Sequence, residues 1–525
     1  VKNEEANLGR CLASLAGAVD DIVVVDTGST DRTVEIAREH GARVFLFKWC
    51  DDFSAARNES LRHARGSCIL WVDADDELIE RQPGALRELC QILPQSSWGY
   101  WVDVHCPTDP WGEAEAVLDQ PRLFRNGLGV QFHGRLHEQA APPLERQGQG
   151  LTFQDRVAVK HWGYIDDGHK PGQRSERNHR LLAQMIEEDP EESFNYYHLG
   201  LQYAGERDYA PAVAAFERSL ELWSRRPGPH SGHMASLYAT AAMCALELEA
   251  YDRVLEIEAS APLEFVSADL VHHAGIAWWR LGNSSEAAAH FHRVIHDPSL
   301  IHGNAHDRST STWRPLLMLA GIRTEMGELA GAYEAARQAL DFAPTRPEIL
   351  MLLGHICKQQ GRLQDATDWA RRLLAGDRDD GFKPQARRLL LNVANELDNA
   401  ALAIEALSGE VENLSEPGAL YLQARAHAML GDRQREYELL DEGCRRFPAD
   451  PDLRLGLAEA LDTAGYAQQA IAILGAGVDY PPVPAVLYQR LAVLLARQGQ
   501  LEDAATALQL AGLATSPPEA IAAPA

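Results

Sequence analysis

Over the first 165 residues of the chain, apolar runs of strand length alternate with stretches of helical period. "DDIVVVDTGSTD" is a β-branched run that breaks into a Gly/Ser/Thr/Asp turn. "DRTVEIAREHGA" has helical spacing and closes on Gly41, and "RVFLFKW" is the next strand. "FSAARNESLRHARG" is helical again and stops at Gly66, before the apolar run "SCILWVDAD". The stretch "DELIERQPGALRELCQIL" after it has the spacing of a helix, with Asp76 placed as its N-cap. Such alternation predicts an α/β domain with a mostly parallel sheet, helices on its faces and a ligand crevice outside the carboxyl ends of the strands. Asp26 and the pair Asp73/Asp75 fall at those ends and are expected to converge. The chain opens at "VKNEEANLGRCL", a loop and helix start, and is read as lacking most of a first strand.

Beyond about residue 190 the strand pattern stops and Leu/Ala-rich helical runs recur at a fixed interval. Ala424, Ala458 and Ala492 are spaced by 34, Ala470 and Ala504 follow the last two by twelve, and the 34-residue step also links Ala241 to Gly275 and Ala320 to Gly354. In "NYYHLGLQYAGERDYAPAVAAFERSLEL" the residues Tyr196, Leu199, Gly200, Tyr203, Ala212 and Phe216 give the whole pattern. It resembles the tetratricopeptide repeat, in which small residues let two antiparallel helices approach and large ones fill the gap to the next pair. The spacing predicts eight or nine repeats over 193–515 in a right-handed superhelix, with a degenerate unit near 385–405 and an insertion at "RRPGPHSGH". A basic linker helix is expected over 166–192 and a disordered tail over 516–525.

A chain of 525 residues exceeds one core, so two or more domains are expected. The net charge of −27, from 49 basic and 76 acidic residues, argues against nonspecific binding to nucleic acid or to an anionic membrane surface. Eight dispersed cysteines without metal spacing point to a reduced, cytoplasmic compartment. No apolar run approaches the roughly 18–20 residues of a membrane span, so no transmembrane segment is expected. An acidic chain that handles phosphates must gather its positive charge locally or take it from a metal.

"CILWVDADDEL" sharpens that point, because it packs Asp73, Asp75 and Asp76 at the end of an apolar strand. Like carboxylates repel and are costly to desolvate, so the stretch asks for a partner. Capping of the following helix accounts for Asp76 and leaves Asp73 unexplained. An Asp-x-Asp pair at a strand end puts one carboxylate on a hard divalent cation and the other on its waters or on a sugar.

Together "VKNEEANLGRCL", "IVVVDTGSTDRTVEIA", "DDFSAARNESL" and "ILWVDADDE" resemble family-two glycosyltransferases of the GT-A fold. They cover nearly all of residues 1–78, and "PRLFRN", "HGRLHEQ" and "VKHWGY" continue the match loosely to about 165. The branch it most resembles includes bacterial peptide S- and O-glycosyltransferases. The resemblance implies a GT-A domain over 1–165, a nucleobase read by Asp26, Glu4 and Glu5 in the loop beside it, and Arg57 near the base or diphosphate. It implies further that Asp73 faces the ribose or sugar, and that Asp75 and His161 hold Mn²⁺ or Mg²⁺. For the base that deprotonates the acceptor, "FHGRLHEQ" offers His133, His137 and Glu138, and "WVDVHCPTD" offers Asp103, His105 and Asp109; Glu138 is favoured, with His137 beside it. Lys170, Arg174, Arg177 and Arg180 form a basic segment read as closing over the diphosphate, Lys170 and Arg177 above all, with Gly163, Gly168 and Gly172 as hinges.

The expected activity is metal-dependent, inverting transfer of a hexose or N-acetylhexosamine from a UDP-sugar to a peptide or protein acceptor recruited by the repeats, which also offer a route to homo-oligomers. Trp223, Trp278, Trp279 and Trp313 read mainly as packing between repeats, with lining of the acceptor surface as their other use. Two other readings stay open at this point: a transferase of surface polysaccharide whose repeats serve assembly, and an interaction scaffold that no longer catalyses. Retention of Asp26, Arg57, Asp73 and Asp75 speaks against the scaffold.

Overall fold

The β-branched runs become strands and the Leu/Ala runs helices, in a computed structural model that describes residues 1–108, 115–146, 149–163, 171–225, 233–300, 305–376, 381–408, 416–478 and 480–514. Asp109, Gly168, Lys170, most of the "RRPGPHSGH" insertion and the tail 516–525 lie outside the described residues.

The N-terminal domain begins with α1 (Leu8–Leu15), β1 (Val23–Asp26), α2 (Thr33–Glu39), β2 (Arg43–Leu46), α3 (Phe53–His63) and β3 (Cys68–Leu70). It continues through β4 (Asp76–Glu80), α4 (Ala85–Ile92), the long strands β5 (Ser97–Pro107) and β6 (Glu115–Arg125), then β7 (Gln131–His133), β8 (Gln139–Ala141), β9 (Gly150–Thr152) and β10 (Val157–His161). Leu8, Cys11, Leu12 and Leu15 recur at helical spacing on α1 and are buried against Val24, Leu78, Leu86, Leu89, Val102, Val104 and Val159. Along β5 burial alternates with period two, Val102, Val104 and Cys106 inward and Trp101, Asp103 and His105 half-buried.

Two expectations need correction. The main sheet is mixed, with β5/β10 and β5/β9 parallel and β5/β6, β3/β6 and β4/β10 antiparallel, and the parallel pair β1/β2 forms a separate two-stranded sheet. Nor is Asp76 a helix cap. It opens strand β4 opposite His161, and the helix starts only at Ala85, after Pro83 and a left-handed Gly84. Pairing with β10 overrides the helical spacing, because "DEL" buries Asp76 and Leu78 on one face of the strand.

Next come α5 (Pro171–Glu188), α6 (Ser193–Gly205), α7 (Tyr209–Arg225), α8 (Met234–Glu247), α9 (Tyr251–Ser260), α10 (Ala268–Arg280), α11 (Ser284–His296), β11 (Ala305–Asp307) and α12 (Trp313–Glu325). Compactness divides the chain at Ile322/Arg323 and not where the sequence period changes. The reason lies in β11, which leaves the repeats and pairs antiparallel with β6, while Arg308 beside it pairs with Glu115 at 2.8 Å. The first repeats and the α/β domain are therefore one unit.

The second unit continues as helical hairpins, among them Pro417–Met429 with Arg433–Arg446, Pro451–Thr463 with Ala467–Gly477 and Ala485–Arg497 with Leu501–Ala514. Their turns place Gly431, Gly465 and Gly499, again 34 apart, at φ of +76°, +88° and +78°, a conformation that costs a residue with a Cβ more than glycine. Ala424, Ala458 and Ala470 are fully buried with Leu440, Leu474 and Leu487 in one continuous cluster.

The small-to-large pairing within hairpins repeats in detail: a Cβ on Gly200 would lie 2.5 Å from the ring of Phe216, and one on Gly275 would lie 3.0 Å from that of Phe291. Gly200→Ala is expected to destabilise the first unit by about 1–3 kcal/mol, since the fully buried Phe216 ring has nowhere to move. Urea unfolding of wild type and variant checks it; equal midpoints would show that the ring yields.

Candidate functional site

After β3 the chain turns through Asp73 and Asp75 before β4, and the three acids separate by environment. Asp76 has no exposed side-chain surface. Its Oδ2 accepts from Arg122 Nη1 at 2.7 Å and from the Asp73 backbone N–H at 2.6 Å, and its Oδ1 faces His161 Nδ1 at 2.9 Å. Asp73 is held by Arg57 Nη2 at 2.7 Å and Arg122 Nη2 at 3.3 Å. Arg122 reaches both acids because the β5/β6 register slips there: Tyr100 faces Leu123 and Trp101 faces Pro121, which leaves Arg122 as the extra residue of a β-bulge. Both guanidiniums lie against the Trp71 ring, Arg57 at 4.3 Å and Arg122 at 3.7 Å from its centroid, and the indole donates its N–H to the Pro121 carbonyl at 2.8 Å.

Among the described residues the arginines paired with Asp73, Asp76 and Glu138 are Arg57 and Arg122, and Asp75 lies beside His161. Burial works against the charge on Asp73, yet Arg57 and Arg122 hold its carboxyl well below the usual range. Asp75 goes the other way: burial first, then Asp73 and Asp76, push its pKa up against the opposing pull of His161. For His161 burial lowers the pKa, but the hydrogen bond to Asp76 and the charge of Asp75 outweigh it and leave the group above its ordinary value. Asp75 is thus the carboxylate whose charge this arrangement compensates least.

The donor set fits a divalent cation. Ligand atoms of Asp73, Asp76 and His161 lie within 4.8 Å of one another, and Asp75 Oδ1 is 3.5 Å from His161 Nδ1. With both Asp76 oxygens already engaged, that residue serves to orient His161, in the manner of a carboxylate behind a metal-bound imidazole. The hydrogen bond on Nδ1 turns His161 Nε2 toward Gly163. A Cβ at Gly163 would meet Asp75 Oδ2 at 2.4 Å and His161 Nε2 at 2.7 Å, so a carboxylate oxygen and an imidazole nitrogen border one gap that only glycine leaves open. Oxygen and imidazole donors suit Mn²⁺ or Mg²⁺.

Glu138 lies against these groups, its Oε1 on Arg57 Nε, so Arg57 bridges it to Asp73. Asp103 and His105 have partners within the sheet instead: Asp103 faces Asp119, whose pKa burial and Asp103 push up to about 6, and His105 pairs with Glu115 at 3.2 Å. His133 is exposed on β7, and the His137 ring stacks on His198. Asp26 is buried and accepts from the backbone N–H groups of Gly28 and Ser29 at 3.1 and 3.2 Å, which shapes the turn after β1. Glu4 and Glu5 border that turn through Glu4 N–H to Thr33 Oγ1 and Arg32 N–H to Glu5 Oε2. Asp26, Arg57, Glu4 and Asp73 all lie within electrostatic range of the backbone nitrogen of Val1. Arg177 lies over Phe53 at 5.2 Å and Arg180 pairs with Asp51 at 2.8 Å, so α5 is tied to the loop before α3. Arg122, Trp71 and the orienting role of Asp76 have no counterpart in the sequence analysis, and Gly163, expected there as a hinge, instead borders Asp75 and His161. Pro121 is the one signal for Arg122, because a proline inside a strand marks a bulge.

Residues 1–115 match the profile of glycosyl transferase family 2, and residues 323–393 match a tetratricopeptide repeat. A TPR repeat-containing protein of Synechococcus elongatus is 27% identical over 75% of this chain and 94% of its own length. The SPbeta prophage-derived glycosyltransferase SunS of Bacillus subtilis is 28% identical over 36% of this chain and 44% of its own. A glucosyl-3-phosphoglycerate synthase of Petrotoga mobilis is 29% identical over 27% of this chain and 44% of its own. The chain thus spans less than half the length of the latter two.

Removing one partner of a buried pair leaves the other charge without compensation, so Arg122→Met is expected to destabilise the first unit by about 3–5 kcal/mol. Arg122→Met with Asp76→Leu removes both charges and is expected to recover most of that loss. Chemical denaturation of the two variants reads the difference; a single variant as stable as wild type would mean that the pair contributes nothing.

Proposed function

We propose that this chain, an enzyme whose N-terminal part is a family 2 glycosyltransferase domain joined to tetratricopeptide repeats, moves a hexose or N-acetylhexosamine from a UDP-sugar to a peptide or protein acceptor held by the repeats. The observation that carries the donor half is the gap between Asp75 and His161 at Gly163, backed by the Asp76–Arg122 pair. A Mn²⁺ or Mg²⁺ ion bound there supplies positive charge to the donor diphosphate.

In this reading Asp75 and His161 hold the ion, Asp76 keeps His161 in place, and Asp73 faces the ribose or sugar from its hold on Arg57 and Arg122. Asp26, with Glu4 and Glu5 beside its turn, meets the nucleobase. Lys170 and Arg177 close over the leaving diphosphate. Glu138 takes the proton from the acceptor as the acceptor atom bonds to the anomeric carbon on the face opposite the diphosphate. The bond to the diphosphate oxygen breaks in the same step, UDP leaves, and the configuration inverts. Arg57 on the Glu138 carboxylate keeps that base oriented.

Stacked repeats offer an extended surface, and holding the acceptor beside the catalytic domain raises its effective concentration. Among the described residues no helix is long and apolar enough to cross a membrane. All eight cysteines are unpaired, which supports a cytoplasmic setting.

Asp75→Asn keeps the shape of the side chain and removes its charge. It is expected to abolish transfer, and with it the Mn²⁺-dependent rise in thermal stability on adding UDP, while the unliganded protein melts as wild type does. A panel of sugar nucleotides with peptide acceptors, read by mass spectrometry, gives the transfer rates. Undiminished wild-type turnover in excess chelator would overturn the metal assignment.

A further inference from the structure

The loop between β7 and β8 carries Glu138, and other elements grip it from outside. Gly134 sits at φ +99° and His137 at φ +56°. A histidine in the left-handed region is strained and persists only where its surroundings fix it. Those surroundings come from outside the loop. The Arg135 carbonyl accepts from Phe53 N–H at 2.9 Å, and its guanidinium pairs with Glu188 of α5 at 2.6 Å. Leu136 is buried among Leu181 and Leu182 of α5, with Phe53, Met185 and Leu199 against them. The His137 ring lies face to face on His198 of α6, with centroids 4.1 Å apart and planes within 8°.

Three consecutive residues before Glu138 are therefore each gripped by the linker helix or the first repeat, and the last grip is the imidazole stack. We infer that His198, on the first repeat helix, is a positioning residue for Glu138 and acts through its stack on His137.

The ring of His198 works by surface. It is buried, neither ring nitrogen has a hydrogen-bond partner among the described residues, and Phe194 at 4.3 Å and Tyr197 at 5.2 Å hold it from its other sides. Burial holds its pKa well below the ordinary histidine value, so it meets His137 as a neutral ring. Nothing in these contacts needs a nitrogen, and a phenyl ring at 198 keeps them. A methyl group there leaves a void under His137, which frees the loop to relax out of its strained conformation and lets Glu138 move.

The inference rests on the reading of Glu138 as the base, and the test keeps the two apart. Transfer kinetics are measured for the full chain as wild type, His198→Ala, His198→Phe, Glu138→Gln and the double variant His198→Ala/Glu138→Gln. His198→Ala is expected to lower kcat about tenfold to a hundredfold, as misplacement of a catalytic group by a fraction of an ångström to an ångström does, with the donor KM within about twofold of wild type. His198→Phe is expected to keep kcat near wild type. On the Glu138→Gln background His198→Ala should cost nothing further, because the group it positions is gone. A further loss on that background, a His198→Phe variant as slow as His198→Ala, or an unchanged His198→Ala would each overturn the inference. A fully active Glu138→Gln would instead remove the base assignment on which it rests.

Discussion

A carboxylate with no exposed surface must be paired or give up its charge, and Asp76 is such a group, with Arg122 Nη1 at 2.7 Å as its counter-ion. Much of the site follows from satisfying it. The bulge in β6 exists where Arg122 has to leave the sheet register to reach Asp76. Trp71 packs against the same guanidinium and against Arg57, which keeps the two cations close without direct repulsion deciding their positions. Asp76 spends its other oxygen on His161, and this aims the imidazole at Asp75 and the gap beside Gly163. The puzzle of three acids at the end of one apolar strand is resolved by division of labour. Asp76 is neutralised within the protein, Asp73 is clamped by two arginines, and Asp75 remains as the charge that a cation would complete.

What the chain revealed in advance was what local pattern and spacing encode. The first strands, the α3 helix and the 34-residue period are properties of neighbouring residues, and the structure has them. Asp73 and Asp75 are legible as acids packed at the end of an apolar strand, and His161 through the resemblance to a transferase family, which attaches roles to quoted motifs. Asp76 was misread, since "DELIERQPGALREL" has helical spacing and its strand character comes only from pairing with Val157–His161, some eighty residues away. Arg122 was invisible for a similar reason: one arginine in "PRLFRN" looks like any other until a register slip points it inward. Gly163 stands out in sequence only as a hinge glycine, because its place beside Asp75 and His161 is defined by the space that a Cβ would fill.

The repeats and the transferase domain also proved less separable than the change of period suggests. A strand from the repeat region, β11, covers the edge of β6, and α5 and α6 hold the loop that presents Glu138. Helices of the first repeats thus help to fix the shape of the loop that carries Glu138. An edge strand with a partner is protected from pairing with other chains, which gives the β11 contact a value for the fold apart from any role in catalysis.

In the proposed function Asp75 and His161 form a cation site whose entrance is kept by the absence of a side chain at residue 163. Gly163 lies outside the left-handed region, so alanine suits its backbone and Gly163→Ala changes little besides filling the gap. Calorimetric titration of Mn²⁺ into wild type and Gly163→Ala, each saturated with UDP, measures the site directly. The account predicts binding at least about tenfold weaker in the variant with an unchanged unfolding midpoint, a methyl group 2.4 Å from a ligand oxygen being incompatible with the site as built. Equal Mn²⁺ affinity in the two proteins would contradict it.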